Sequence, residues 1–143
     1  MKHSFRTLRV GEVMTTPPVT VGPEDSLQHA LALLDKHQIH ELPVVEQGRL
    51  IGIVTNGDLK HFTPAFPLAR DQEEMRQTLR AIKVAAAMTV EPMVIGPDAT
   101  LLEATTLLYE RSLGALLVAE GERLRGILSV SDILRIIIEQ HET

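Results

Sequence analysis

Two short stretches of this chain place a hydroxyl three residues ahead of a carboxylate: Thr55-Asn56-Gly57-Asp58 and Ser129-Val130-Ser131-Asp132. An apolar run leads into each, Gly52-Ile53-Val54 and Gly126-Ile127-Leu128, and apolar residues at helical spacing follow each, which reads as strand, tight turn, helix. A helix start leaves backbone N–H groups without partners and carries partial positive charge, so it can hold an anion such as a phosphate. A carboxylate there can accept hydrogen bonds from the two hydroxyls of a ribose, as an acidic residue does in dinucleotide-binding folds. The same atoms also serve a purely local purpose. Thr55 or Ser129 as N-cap with Asp58 or Asp132 three residues on makes a variant capping box, and the two roles are compatible.

Other chemistry-bearing residues carry less. His37 and His40 lie three apart at a helix end and, with His29 or His61, have the residue type for a metal cluster. No cysteine joins them, and they read as solvent-facing imidazoles, so no metal is expected. Asp58 and Asp132 as an acid/base pair arise from duplication, occupy equivalent positions and have no nucleophile beside them. No catalytic residue is assigned, and the chain is not read as an enzyme.

The elements that must position these residues are duplicated. Aligning Val10 with Val84 sets an offset of 74, and that register runs without a gap through Met14/Met88, Thr15/Thr89, Pro18/Pro92, Gly22/Gly96, Leu42/Leu116, Gly52/Gly126 and Asp58/Asp132. Within a copy, residues 19–21 and 93–95 are short extended runs closed by Gly-Pro. Ser26 caps a helix with Leu27, Ala30, Leu31 and Leu34 on one face, and Thr100 with Glu103 predicts a full capping box for its counterpart. Two strands follow, 42–45 and 50–55 in the first copy and 116–119 and 124–128 in the second, with Gln47-Gly48 and Gly121-Glu122 as hairpin loops. Closing helices begin near Asp58 and Asp132, giving β-α-β-β-α twice, an α+β fold. Between the copies, Pro64 and Pro67 mark a loop, and Asp71 with Glu74 caps a packed helix with Met75, Leu79 and Ile82 inward and Arg76, Arg80 and Lys83 toward water. The expected boundaries are 10–62 and 84–138 for the repeats and 63–83 for the connection.

Composition narrows the function classes. A length of 143 residues suits two small halves that stabilise each other, since domains near 60 residues are marginal alone. A formal charge of −5 disfavours nucleic acid as a partner, and one tyrosine, three phenylalanines and no tryptophan make a poor base-stacking platform. The cations gather at Lys2, Arg6 and Arg9 and at Arg70, Arg76, Arg80 and Lys83, flanks from which a phosphate could be neutralised. The chain has no cysteine, no apolar core of a signal peptide near its start, and no apolar run of the ~20 residues a membrane span needs. A soluble, cytoplasmic protein without membrane contact is expected.

The order Met-Thr-x-x-Pro before the first strand, Leu42-Pro43-Val44-Val45 in the middle and Gly-Ile-Val-Thr-x-x-Asp-Leu at the end resembles the CBS domain pair, or Bateman module, over roughly residues 10 to 138. The Pro-rich loop and helix between copies are similar to short acetoin-utilisation-type CBS proteins, without the further C-terminal domain some of those carry. The resemblance implies tandem repeats packed as one pseudo-two-fold module, usually a homodimer, that binds AMP, ATP or another adenosyl ligand in two clefts and regulates a partner protein. Asp58 and Asp132 then match the ribose-binding carboxylate, and Thr55, Ser129 and Ser131 the hydroxyls near ribose or phosphate. His40 falls where relatives often place a basic residue reaching phosphate. Thr16, Pro18, Val19 and Leu42, with Pro92, Met93 and Leu116, match positions lining the base. Each cleft would join one copy's carboxylate to the other's pre-strand segment, Asp58 with the stretch near Met93 and Asp132 with that near Val19. Departures from the pattern, Gly57, Glu41 and Gly114-Ala115, remove cations or hydroxyls. They favour a ligand of modest charge such as AMP over ATP, and they keep open an alternative, a structural dimerisation module with no nucleotide.

Overall fold

The apolar residues that repeat along the chain collect into two separate cores. The computed structural model describes residues 4–62 and 72–142. In chain order the elements are α1 (Val10–Val13), α2 (Leu27–His37), β1 (Glu41–Glu46), β2 (Arg49–Thr55), α3 (Asn56–Lys60), α4 (Gln72–Ala81), α5 (Val84–Ala87), β3 (Thr89–Val90), β4 (Val94–Ile95), α6 (Leu101–Glu110), β5 (Ala115–Glu120), β6 (Arg123–Ser129) and α7 (Val130–Gln140). They form two compact units, Val19–Pro92 and the pair of segments Met1–Pro18 and Met93–Thr143. Each unit thus contains one copy's hairpin and helices together with the segment that leads into the other copy.

In the Val19–Pro92 unit the sheet order is β1-β2-β3, antiparallel throughout, with Gly52 opposite Val90 and Ile53 opposite Thr89. Leu27, Ala30 and Leu34 of α2 and Leu79 of α4 bury against Leu42, Val44 and Val54 of the hairpin. Ser26 caps α2 as the sequence predicts, its Oγ accepting from His29 N at 3.0 Å. Helix α4 is packed as its periodicity requires: Leu79 is buried and Met75 half-buried, while Arg76 and Arg80 are exposed. Its expected cap Asp71, and Pro64 and Pro67, lie outside the described residues. The hairpin turns at Gln47 and Gly48, both at positive φ (50° and 80°), the pairing of a two-residue turn that matches strand twist.

The other unit repeats this plan with β4-β5-β6, where β4 runs parallel to β5. Leu101, Ala104 and Leu108 of α6 and Ile133 and Ile136 of α7 pack on Leu116, Val118 and Leu128. Two expectations need correction. Residues 19–21 make a single bridge, Val21 to Val44, whereas their counterparts in the second copy form a two-residue strand, Val94–Ile95, although the same Gly-Pro turn follows both. The full capping box expected at Thr100 is one-sided, Thr100 Oγ1 accepting from Glu103 N at 3.1 Å. The reciprocal boxes stand instead at the two carboxylate turns.

Candidate functional site

Each carboxylate turn is fixed by its own sequence. At the end of β2, Thr55 Oγ1 accepts from Asp58 N at 3.2 Å and Asp58 Oδ2 accepts from Thr55 N at 2.9 Å. At the end of β6, Ser129 Oγ accepts from Asp132 N at 3.1 Å, while Asp132 Oδ2 accepts from Ser129 N at 2.9 Å and from Ser129 Oγ at 3.1 Å. The shorter bonds here go to a charged acceptor, so these contacts hold the turn more firmly than neutral ones would.

The pre-strand segment of the other copy lies beside each turn within the same unit. Thr15 N donates to Ile127 O at 2.8 Å and Ile127 N to Thr15 O at 3.1 Å, and Thr89 pairs with the equivalent Ile53. Glycine permits this approach: a Cβ at Gly126 would sit 2.7 Å from both Met14 Sδ and Thr15 O, and one at Gly52 would sit 2.8 Å from Thr89 O. The repeated Gly and Met were visible in the sequence, but nothing there said that they touch.

Beyond this shared frame the two turns differ. Asp132 Oδ1 accepts from Thr15 Oγ1 at 3.3 Å and lies 3.4 Å from Arg135 Nη2. Arg135 was missed by the sequence reading, which left this copy without a basic neighbour. Its position three residues after Asp132, one turn along α7, was the signal that could have found it. Thr16 Oγ1 donates to Arg125 O at 3.0 Å, and the Thr16-Pro17 peptide is cis. Ser131 is exposed and Pro18 half-buried.

In the Val19–Pro92 unit, His40 Nδ1 lies 2.9 Å from Asn56 Nδ2, with the amide as donor, and both residues border a cavity of about 230 Å³ floored by Leu31, Leu34 and Ile39. This cavity is on the α2 side of the hairpin. Burial in β1 raises the pKa of Glu41 above the ordinary carboxylate value, partly offset by the neighbouring His40. Leu42 and Leu116, read as base-lining, are 0% and 1% exposed and belong to the cores, so they offer a ligand no surface in this structure. Pro92 falls in the same unit as Asp58, whereas Met93 falls with Asp132 and Val19 with Asp58. Met93 is exposed and Val19 half-buried.

Four of the flanking cations are engaged elsewhere. Arg9 Nη1 donates to Asp98 O at 2.9 Å, Lys83 Nζ meets Glu24 at 2.5 Å, and Arg76 and Arg80 lie 3.6 and 3.7 Å from Glu73. Lys2 and Arg70 lie outside the described residues. Among the described residues, no group of three or more His, Asp or Glu is placed to hold a metal ion. Nor is any helix among them long and apolar enough to cross a membrane.

Comparison with known proteins agrees with this architecture. The CBS domain family matches residues 10–64 and again 82–139. A CBS domain-containing protein of Dictyostelium discoideum is 33% identical over 132 residues, covering 91% of each chain. Inosine-5'-monophosphate dehydrogenase of Staphylococcus haemolyticus is 32% identical over 130 residues, but the chain spans only 24% of that enzyme, so its activity does not transfer. Among solved structures, a Vibrio cholerae protein assigned to acetoin utilization (AcuB) superposes with a TM-score of 0.78 at 26% identity, over 92% of this chain and 91% of its own. CBSX2 in complex with AMP gives a TM-score of 0.76 at 26% identity, over 94% and 99%.

Proposed function

This chain belongs to the CBS domain family as a tandem pair, and from that premise we propose that it is a regulatory module sensing an adenosine-containing ligand of modest charge, AMP or a close relative. The observation that carries the reading is the Asp58 turn. Its backbone is fixed by reciprocal bonds with Thr55, while Oδ1 has no donor among the described residues and can accept from a ribose hydroxyl. The AMP complex of CBSX2 supports the ligand class. The pairing of Arg76, Arg80 and Lys83 with acidic partners supports a ligand of modest charge over a polyphosphate.

Ligand binding would be read out through a partner protein, and the molecule would act in the cytoplasm as a homodimer. Helix α7 supports the dimer: Ile133 and Ile136 face its own core, yet Leu134, Ile137 and Ile138 are 55%, 41% and 60% exposed on the same helix. Thermal unfolding of the full chain with AMP, adenosine and ATP tests the reading, alongside light scattering. The expected result is a dimer whose Tm rises with AMP and adenosine and less with ATP. A dimer indifferent to all three would favour the ligand-free dimerisation module.

A further inference from the structure

The two carboxylates have different partners although their turns superpose in register. Asp132 accepts from Ser129 N and Oγ through Oδ2, and Oδ1 meets Thr15 Oγ1 at 3.3 Å and Arg135 Nη2 at 3.4 Å. Its side chain is only 13% exposed. Asp58 accepts from Thr55 N alone among the described residues. The causes are local. Arg135 corresponds to His61 in the first copy, and Thr89, the counterpart of Thr15, directs no hydroxyl to Asp58 among the described contacts.

A ribose diol offers a carboxylate two O–H donors. At Asp132 a protein hydroxyl and a guanidinium already occupy Oδ1, and a ligand would have to displace both and re-solvate them. We propose that Thr15 and Arg135 close Asp132 to ribose, so that it ties the first copy's pre-strand segment to helix α7, and that the chain takes one ribose-bearing ligand, at Asp58. This rests on the adenosine reading above and adds to it which copy is open and which residues shut the other.

Arg135 is 51% exposed and its ion pair alone contributes little, so closure takes the Thr15 hydroxyl as well, and removal of both should uncover a second site more fully than removal of Arg135 alone. The experiment is calorimetric titration of the full chain with adenosine, together with ligand-free melts, for wild type, Asp58→Asn, Asp132→Asn, Arg135→Ala and Thr15→Val/Arg135→Ala. Expected are one adenosine per chain in wild type, at least tenfold weaker binding in Asp58→Asn, less than twofold change in Asp132→Asn, and a second, weaker site in the double variant. Without ligand, Asp132→Asn should melt lower than Asp58→Asn. Two equal sites in wild type, or a single site lost with Asp132→Asn and kept with Asp58→Asn, would overturn the proposal. If adenosine binds none of these proteins the adenosine reading fails, and the melts decide the remainder: equal losses at the two positions refute the closed Asp132, and a larger loss at Asp132 upholds it. Arg135→Ala alone keeps the test open should the double variant not fold.

Discussion

The Asp58 and Asp132 turns share a backbone and differ in what surrounds the carboxylate. Both sit at a strand end, both are boxed by a hydroxyl, and both have the other copy's pre-strand segment against a glycine three residues before that hydroxyl. The second carboxylate is then held by Thr15 and Arg135 as well, and the first is not. Duplication has therefore kept the part of the site that is also fold, and the two copies diverge where a side chain can change without disturbing packing. Arg135 stands on the exposed face of α7 and His61 on the exposed end after α3, positions where substitution has little effect on the core.

The shared frame is where the largest effect belongs. Gly52→Ala and Gly126→Ala each force a methyl group into a backbone carbonyl and a methionine sulfur, and each should lose about 1–3 kcal/mol of stability in chemical denaturation. The two losses are expected to be alike. A harmless substitution at either glycine would show that the pre-strand segment does not lie against that strand.

A smaller effect is expected at a position where the copies differ. Glu41 sits in β1 where the second copy has Ala115. Burial raises its pKa in the folded protein, so the folded state holds the proton more tightly than the unfolded chain does. Stability from this residue is fully present below the unfolded carboxylate pKa and is lost as pH rises through the raised folded value. At pH 7 the charge is a burden, and Glu41→Gln should melt higher than wild type there, the gap closing as the solution is acidified. A gap independent of pH would place its cause in packing rather than charge.

Much of this was legible in the sequence, for physical reasons. The offset of 74 and the two periodicities gave the elements, since strand and helix bury apolar residues at different spacings, and the hydroxyl-carboxylate pairs gave both turns. The packed α4 was equally visible in Met75 and Leu79. Most of what was not visible depended on partners remote in sequence; Arg135, one turn after Asp132, is the exception. The contact of Met14 with Gly126 joins residues more than a hundred positions apart, and so does the bond from Thr15 to Asp132. The same blindness placed Leu42 and Leu116 among ligand-lining residues, because a strand residue facing a core and one facing a cleft are the same amino acid in the same pattern. The Thr100-Glu103 box failed at the next level of detail: a side chain of the right type took only one half of the exchange.

The proposed function rests on recognition of ribose hydroxyls by Asp58. Its most direct test is a cycle of affinities for AMP and 2′,3′-dideoxy-AMP on wild type and Asp58→Asn, measured by calorimetry at one pH and salt concentration. A hydrogen bond to a charged group is worth about 1.5–3 kcal/mol, so wild type should bind the dideoxy compound at least about tenfold more weakly than AMP. Asp58→Asn should bind the two nearly alike. Equal discrimination by both proteins would contradict the claim, because the hydroxyls would then be read by something other than Asp58.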